Sequence, residues 1–185
     1  MEDAVSDTSR ETVLIGGVEK REIKIVDYDA EWPHKYAEHE KKIRRALGER
    51  VFALEHVGST AVPNLAAKPI IDIDLIVADS SDESSYLPAL EEAGYVLRVR
   101  EPDWHEHRMV RTPALDVHIH IFSPDSPEFR RHTAFREWLK AHDADRRAYE
   151  SVKRELASKD WEDMNAYAAA KSEIVERILA SAFQG

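Results

Sequence analysis

The stretch Lys68-Pro69-Ile70-Ile71-Asp72-Ile73-Asp74-Leu75-Ile76-Val77 sets two carboxylates into an otherwise aliphatic run. β-Branched and aliphatic residues at most positions from Ile70 to Val77 predict a strand buried on both faces. Strand side chains alternate, so Ile70, Asp72, Asp74 and Ile76 share one face, and Ile71, Ile73, Leu75 and Val77 the other. Two acids side by side at roughly 6 Å, in an effective dielectric near 20, repel by about 3 kcal/mol. Packing gives no reason to carry that cost. A divalent cation would remove it.

Upstream, Leu54-Glu55-His56-Val57-Gly58-Ser59-Thr60 closes a second apolar run, Val51 to Val57, on a Gly-Ser pair. Glycine there permits a tight turn and close approach of backbone to a ligand. The Ser59 hydroxyl and neighbouring backbone N–H groups can donate to phosphate oxygens. Such a turn, followed by Asp-x-Asp on the next strand, resembles the pattern of the nucleotidyltransferase superfamily, whose metal site is completed by a third carboxylate on a later strand. The longer string His56-Val57-Gly58-Ser59-Thr60-Ala61-Val62-Pro63, with Lys68-Pro69-Ile70-Ile71-Asp72-Ile73, is more specific. It resembles the GrpB family, a branch of that superfamily also found fused to dephospho-CoA kinases. Trp32-Pro33, Val117-His118-Ile119-His120 and Phe135-Arg136-Glu137-Trp138-Leu139 extend the resemblance from about Ile23 to Leu156. Asn64 stands where the family usually has Gly, and Asn tolerates the left-handed conformation such a turn needs.

The resemblance implies an α/β (α+β) fold: a nucleotidyltransferase-like mixed β-sheet flanked by helices, with a helical C-terminal segment. Residues 1–20 read as a flexible N-terminal arm and 21–185 as a single nucleotidyltransferase-like domain. The implied activity is metal-dependent transfer of a nucleoside monophosphate from a nucleoside triphosphate to an unknown acceptor. Asp72, Asp74 and Asp116 would hold Mg²⁺ (or Mn²⁺), hard cations that prefer carboxylate and phosphate oxygens. Asp116 enters because Leu115 to Phe122 reads as a strand with Asp116, His118 and His120 on one face. Gly58 and Ser59 would hold the phosphates, with Lys68 or Arg136 adding charge, and His118 and His120 would hydrogen-bond carboxylates or substrate.

Two other classes remain open. A regulatory module of this fold could bind a nucleotide or partner without turnover. A zinc or transition-metal hydrolase could use His56, His105, His107, His118 and His120, since His-x-His on a strand places two imidazoles together.

The rest of the chain bounds these readings. At 185 residues and 43% hydrophobic, it suits one domain with a real core. A net charge of −10 disfavours bulk nucleic-acid binding. No apolar run is long enough to span a bilayer and no signal peptide is visible, so a cytoplasmic location is expected. The absence of Cys excludes disulfides and thiolate zinc sites. A helix is predicted from Pro33 to Leu47, stopped by Gly48, and another from Tyr86 to Ala93. Glu22 to Tyr28 reads as a strand or extended lead-in, and Val13-Leu14-Ile15 as a short edge pairing. Tyr95 to Arg100 and Glu106 to Thr112 read as a hairpin, with His105 and His107 on one face of its second strand. From Ser126 the chain is expected to be helical, with Asp143 capping the second helix and one last helix from about Asp163 to Phe183.

Overall fold

The computed structural model describes residues 12–185. Its strands are β1 (Val13–Leu14), β2 (Ala53–Val57), β3 (Ile71–Ile76), β4 (Val96–Glu101), β5 (His107–Arg111) and β6 (Val117–Phe122). Its helices are α1 (Trp32–Leu47), α2 (Leu87–Glu92), α3 (Pro127–Ala141), α4 (Asp143–Ala157), α5 (Met164–Ala170) and α6 (Ser172–Gln184). The six strands form one mixed sheet in the order β1-β4-β5-β6-β3-β2. Only β3 and β6 pair in parallel; the other neighbours are antiparallel. A parallel pair needs a long crossover, and α2 with the β4–β5 hairpin provides it.

The alternation in the aliphatic run sorts the two faces as expected. Ile71, Ile73 and Leu75 join Val117, Ile119 and Ile121 in a core with Ile43 and Leu47 of α1 and Leu90 of α2. Each fully enclosed Ile or Leu there contributes about 1.5–3 kcal/mol of hydrophobic burial. α1 forms because its apolar residues recur at helical spacing, Pro33 occupies the first turn, and Arg44 and Arg45 complement the dipole in the last. On the opposite side, Val62, Leu65, Leu139, Tyr149 and Ile178 form a second cluster that ties the helical C-terminal part to the loop after Gly58.

Several expectations need correction. Of the two readings of Glu22 to Tyr28, the strand does not form and the lead-in stands, with a single bridge from Val26 to Ala67. The last helix is two, broken at Lys171 between α5 and α6. His105 lies before β5 with φ 55°, so it shares no strand with His107. Asp143 sits in the first turn of α4 with His142 as the cap residue. Asn64 does adopt the left-handed conformation, at φ 65°. Of the expected arm, residues 1–11 lie outside the described residues, while Val13 and Leu14 pair with Arg100 and Val99 at the sheet edge. Among the described residues no helix is long and apolar enough to cross a membrane.

Candidate active site

Register places the chemistry. Across the parallel pair, Asp72 stands opposite His118 and Asp74 opposite His120; on the other side, Val57 stands opposite Asp72 and Glu55 opposite Asp74. The His120 Nε2–H donates to Asp72 Oδ1 at 3.2 Å, and His118 Nδ1 lies 3.8 Å from the same oxygen. One atom each of Asp72, His118 and His120 fall within 4.8 Å of one another, and this is the grouping among the described residues that could hold a metal ion.

A chain of hydrogen bonds orients this group from behind. Glu101 Oε1 lies 3.1 Å from His107 Nδ1, and His107 Nε2 lies 3.1 Å from His120 Nδ1. With His107 donating to Glu101, its Nε2 accepts from His120 Nδ1–H, so His120 donates from both ring nitrogens as an imidazolium and would give up its Nε2 proton to take a metal ion. A carboxylate behind a histidine in this way fixes ring orientation and raises ligand basicity. Burial would raise the Asp72 carboxyl, but the His120 hydrogen bond and nearby cations hold it far below the usual carboxylate range. Burial lowers His120, but Asp72 and Asp74 outweigh it and the net shift is upward. His118 is held down to about 4 by burial, so it is neutral at pH 7, and its Nε2 is buried without a partner.

Asp74 plays a separate part. It has no exposed surface, and its Oδ2 accepts from His132 Nδ1 at 2.7 Å while Oδ1 is buried and unpartnered. His132, from α3, lines the cavity above the sheet. The carboxylate selects the tautomer with Nδ1 protonated, so His132 Nε2 is the basic nitrogen, 3.7 Å from Glu128 Oε2. The two acids of β3 are therefore each met by imidazole, which relieves the repulsion that the sequence implies.

Gly58 ends β2 at φ 74°, ψ −173°, a conformation that is almost glycine-only. A Cβ at this position would lie 2.8 Å from Asp72 Oδ2, so Gly58 allows the Asp72 carboxylate to lie directly on the turn. Ser59 follows in a 3₁₀ turn. The cavity over this floor holds about 540 Å³ and is lined by Gly58, Lys68, Asp72, His118, His120 and His132 among others. Lys68 is lowered to about 8 by burial and by Lys171 nearby.

Two expected site residues lie elsewhere. Asp116 is not in that grouping: Leu115, at φ 63°, breaks the strand alternation ahead of β6, and Lys35 of α1 forms an ion pair with the Asp116 carboxylate. Thr112 Oγ1 donates to Asp116 at 2.6 Å as well. Arg136 serves packing, donating to the His56 carbonyl at 2.7 Å and to Glu55 at 2.9 Å and so tying α3 to β2. His56 is also structural. It stacks on Tyr36 and donates from Nε2 to Thr60 Oγ1 at 2.9 Å, while Thr60 donates to the Ile70 carbonyl. His132, Glu101 and Lys171 were not legible as site residues, because a lone His, Glu or Lys on a polar helix or hairpin carries no periodic signal.

A mixed sheet whose parallel central pair presents Asp-x-Asp beside His-x-His, with a glycine turn at its rim, defines the class of domain seen here. The chain belongs to the GrpB family, matching the family described as GrpB protein over residues 22–181. It is 49% identical over 160 residues to a UPF0157 protein of Halalkalibacterium halodurans, covering 86% of this chain and 82% of that one. The crystal structure of conserved protein GrpB from Enterococcus faecalis superposes with a TM-score of 0.72 at 28% identity, covering 86% of this chain and 99% of that chain. The expected relation to dephospho-CoA kinases is present too: one from Mycolicibacterium paratuberculosis is 28% identical over 175 residues, and the match spans 80% of this chain but 43% of that protein.

Proposed function

We propose that this cavity is the active site of a metal-dependent transferase that moves a nucleotidyl group from a nucleoside triphosphate to an acceptor hydroxyl. The observation that carries the reading is the convergence of Asp72, His118 and His120 at the floor of a cavity rimmed by the Gly58 turn and Lys68. A three-carboxylate Mg²⁺ site does not fit, because Asp116 is paired with Lys35 and Asp74 with His132. One carboxylate and two imidazoles form a softer donor set, suited to zinc or another first-row transition ion, Mn²⁺ included. When bound at Asp72, His118 and His120, such an ion supplies Lewis-acid charge for phosphate oxygens.

The chain's own groups account for the rest. Backbone N–H groups of the Gly58–Ser59 turn would donate to the phosphate oxygens, and Lys68 would add positive charge. The acceptor oxygen forms its bond to the α-phosphorus as the bond to pyrophosphate breaks, and pyrophosphate leaves with the bonding pair. The acceptor proton passes to His132 Nε2, with Asp74 stabilising the imidazolium as it forms. General-base help of this kind contributes about 10²–10⁴-fold.

The test is a screen of nucleoside triphosphates against Zn²⁺, Mn²⁺ and Mg²⁺ for pyrophosphate release, with mass spectrometry of any co-purified ligand as the route to the acceptor. Release that is abolished by Asp72→Asn and reduced about a hundredfold or more by His132→Gln is the expected result. Nucleotide binding without release under any metal would instead make the domain a non-catalytic binding module.

A further inference from the structure

Lys68, Lys153 and Lys171 reach one small pocket from three places: the loop before β3, the middle of α4, and the break between α5 and α6. The Lys68 and Lys171 ammonium groups each lie 4.9 Å from the centre of the same Tyr167 ring. Lys153 is 2% exposed, lies 4.9 Å from the centre of the Tyr149 ring, and donates to the Ala66 carbonyl at 2.5 Å. Among the described residues none of the three makes an ion pair; the acids that act on them at longer range are Asp72, on Lys68 and Lys171, and Glu150, on Lys153. Tyr167 has no exposed surface, and its hydroxyl is buried without a partner.

This arrangement is costly without an anion. Withdrawing an ammonium from water costs several kcal/mol per ion after relaxation. A cation–π contact returns about 0.5–2 kcal/mol. Burial lowers all three lysines, Lys153 to about 6; neighbouring lysines add to the effect at Lys68 and Lys153, while Asp72 opposes it at Lys68 and Lys171. Asp72 lines the same pocket, yet no acid closes to ion-pair distance on any of the three lysines among the described residues of this chain of net charge −10. The pocket holds about 110 Å³, the room of three or four waters at about 30 Å³ each, and it also touches Ser59, Asp72 and His118.

We propose that Lys68, Lys153 and Lys171, gathered around Tyr167, form a phosphate subsite directly beside Asp72. Their ammonium groups and the Tyr167 hydroxyl donate to phosphate oxygens. As a phosphate site it stands independently; as the seat of a nucleotide's departing pyrophosphate it rests on the transferase reading.

The test uses the whole protein without metal, melted at pH 7 in chloride, phosphate or pyrophosphate at matched ionic strength, and then with nucleoside triphosphate. Pyrophosphate should raise the melting temperature, and more than phosphate does. Lys171→Met and Lys68→Met should melt at or above wild type in chloride, since each removes a half-buried cation that makes no ion pair among the described residues, yet bind pyrophosphate at least tenfold more weakly. Lys171→Arg should keep most of the affinity. Identical melting of the wild type in chloride, phosphate and pyrophosphate would overturn the proposal, as would unchanged pyrophosphate affinity in both Met variants. Pyrophosphate binding that needs these lysines, in a protein that turns over no nucleotide, would support the subsite while the transferase reading fails. Nucleotide turnover with unaltered pyrophosphate affinity in the variants would do the reverse.

Discussion

His118 stands directly across the parallel β3–β6 pair from Asp72, with its Nδ1 3.8 Å from Asp72 Oδ1. The nucleotidyltransferase pattern calls for a carboxylate on such a neighbouring strand. Here the in-register positions are His118 and His120, and the acid nearest in sequence, Asp116, is turned to α1. The donor set therefore changes character, and with it the ion that the proposed site would prefer.

That relationship separates Asp116 from Asp72 by experiment. Asp116→Asn should cost about 1 kcal/mol through the weakened, partly exposed pair with Lys35, and leave Zn²⁺ or Mn²⁺ affinity unchanged. His118→Ala should weaken metal binding at least tenfold. Calorimetric metal titration of the two variants decides between them, and equal losses would restore Asp116 to the site.

The Asp74–His132 pair predicts an asymmetry. His132→Ala leaves a fully buried carboxylate with no partner and should destabilise by about 3 kcal/mol. Asp74→Asn keeps an acceptor for His132 Nδ1–H and should cost clearly less. In the Asp74→Asn background, His132→Ala should cost under about 1 kcal/mol, because the two residues act as one unit. Denaturant unfolding of the four proteins measures the coupling, and strict additivity would show that the contact has no energetic role.

Gly58→Ala should disturb both fold and site. Its φ of 74° is strained for any L side chain, and the new methyl would meet the Asp72 carboxylate. A loss of about 1–3 kcal/mol follows from the backbone alone, or roughly 2–12 °C at about 2–4 °C per kcal/mol for a chain of this size. Displacement of Asp72 should lower metal affinity as well. A variant with wild-type melting and metal binding would remove the close approach from the account.

Acid should destabilise the protein before its carboxylates titrate. Burial holds His56 and His118 each down to about 4, against an ordinary value near 6.5. Between those values the unfolded chain binds protons that the native state refuses, so this contribution is complete above pH 6.5 and lost as pH falls toward 4. Each group adds at most about 1.4 kcal/mol per pH unit. His120, shifted upward, has the opposite sign, but it acts above about pH 6.5, where its contribution is lost as pH rises, and leaves the slope below that value unaltered. Thermal melts from pH 7 to 4.5 should show the fall, and His56→Phe, which keeps the stack on Tyr36, should make it shallower. Superimposable slopes would mean that His56 is not its source.

The apolar periodicities carried the fold. Strand alternation from Ile70 to Val77 and the helical stripe of α1 are properties of neighbouring residues, so burial on known faces follows from them. The Gly58 turn, the Asp72–Asp74 pair and the family resemblance were legible for the same reason, as short contiguous motifs. What joins distant segments was not. The parallel register that sets His118 against Asp72, the left-handed Leu115 that releases Asp116 to Lys35, the α3 histidine that meets Asp74, and the lysines that converge on Tyr167 all depend on how separate elements pack. A titratable residue's partner is decided by distance in space, and no local pattern along the chain records it.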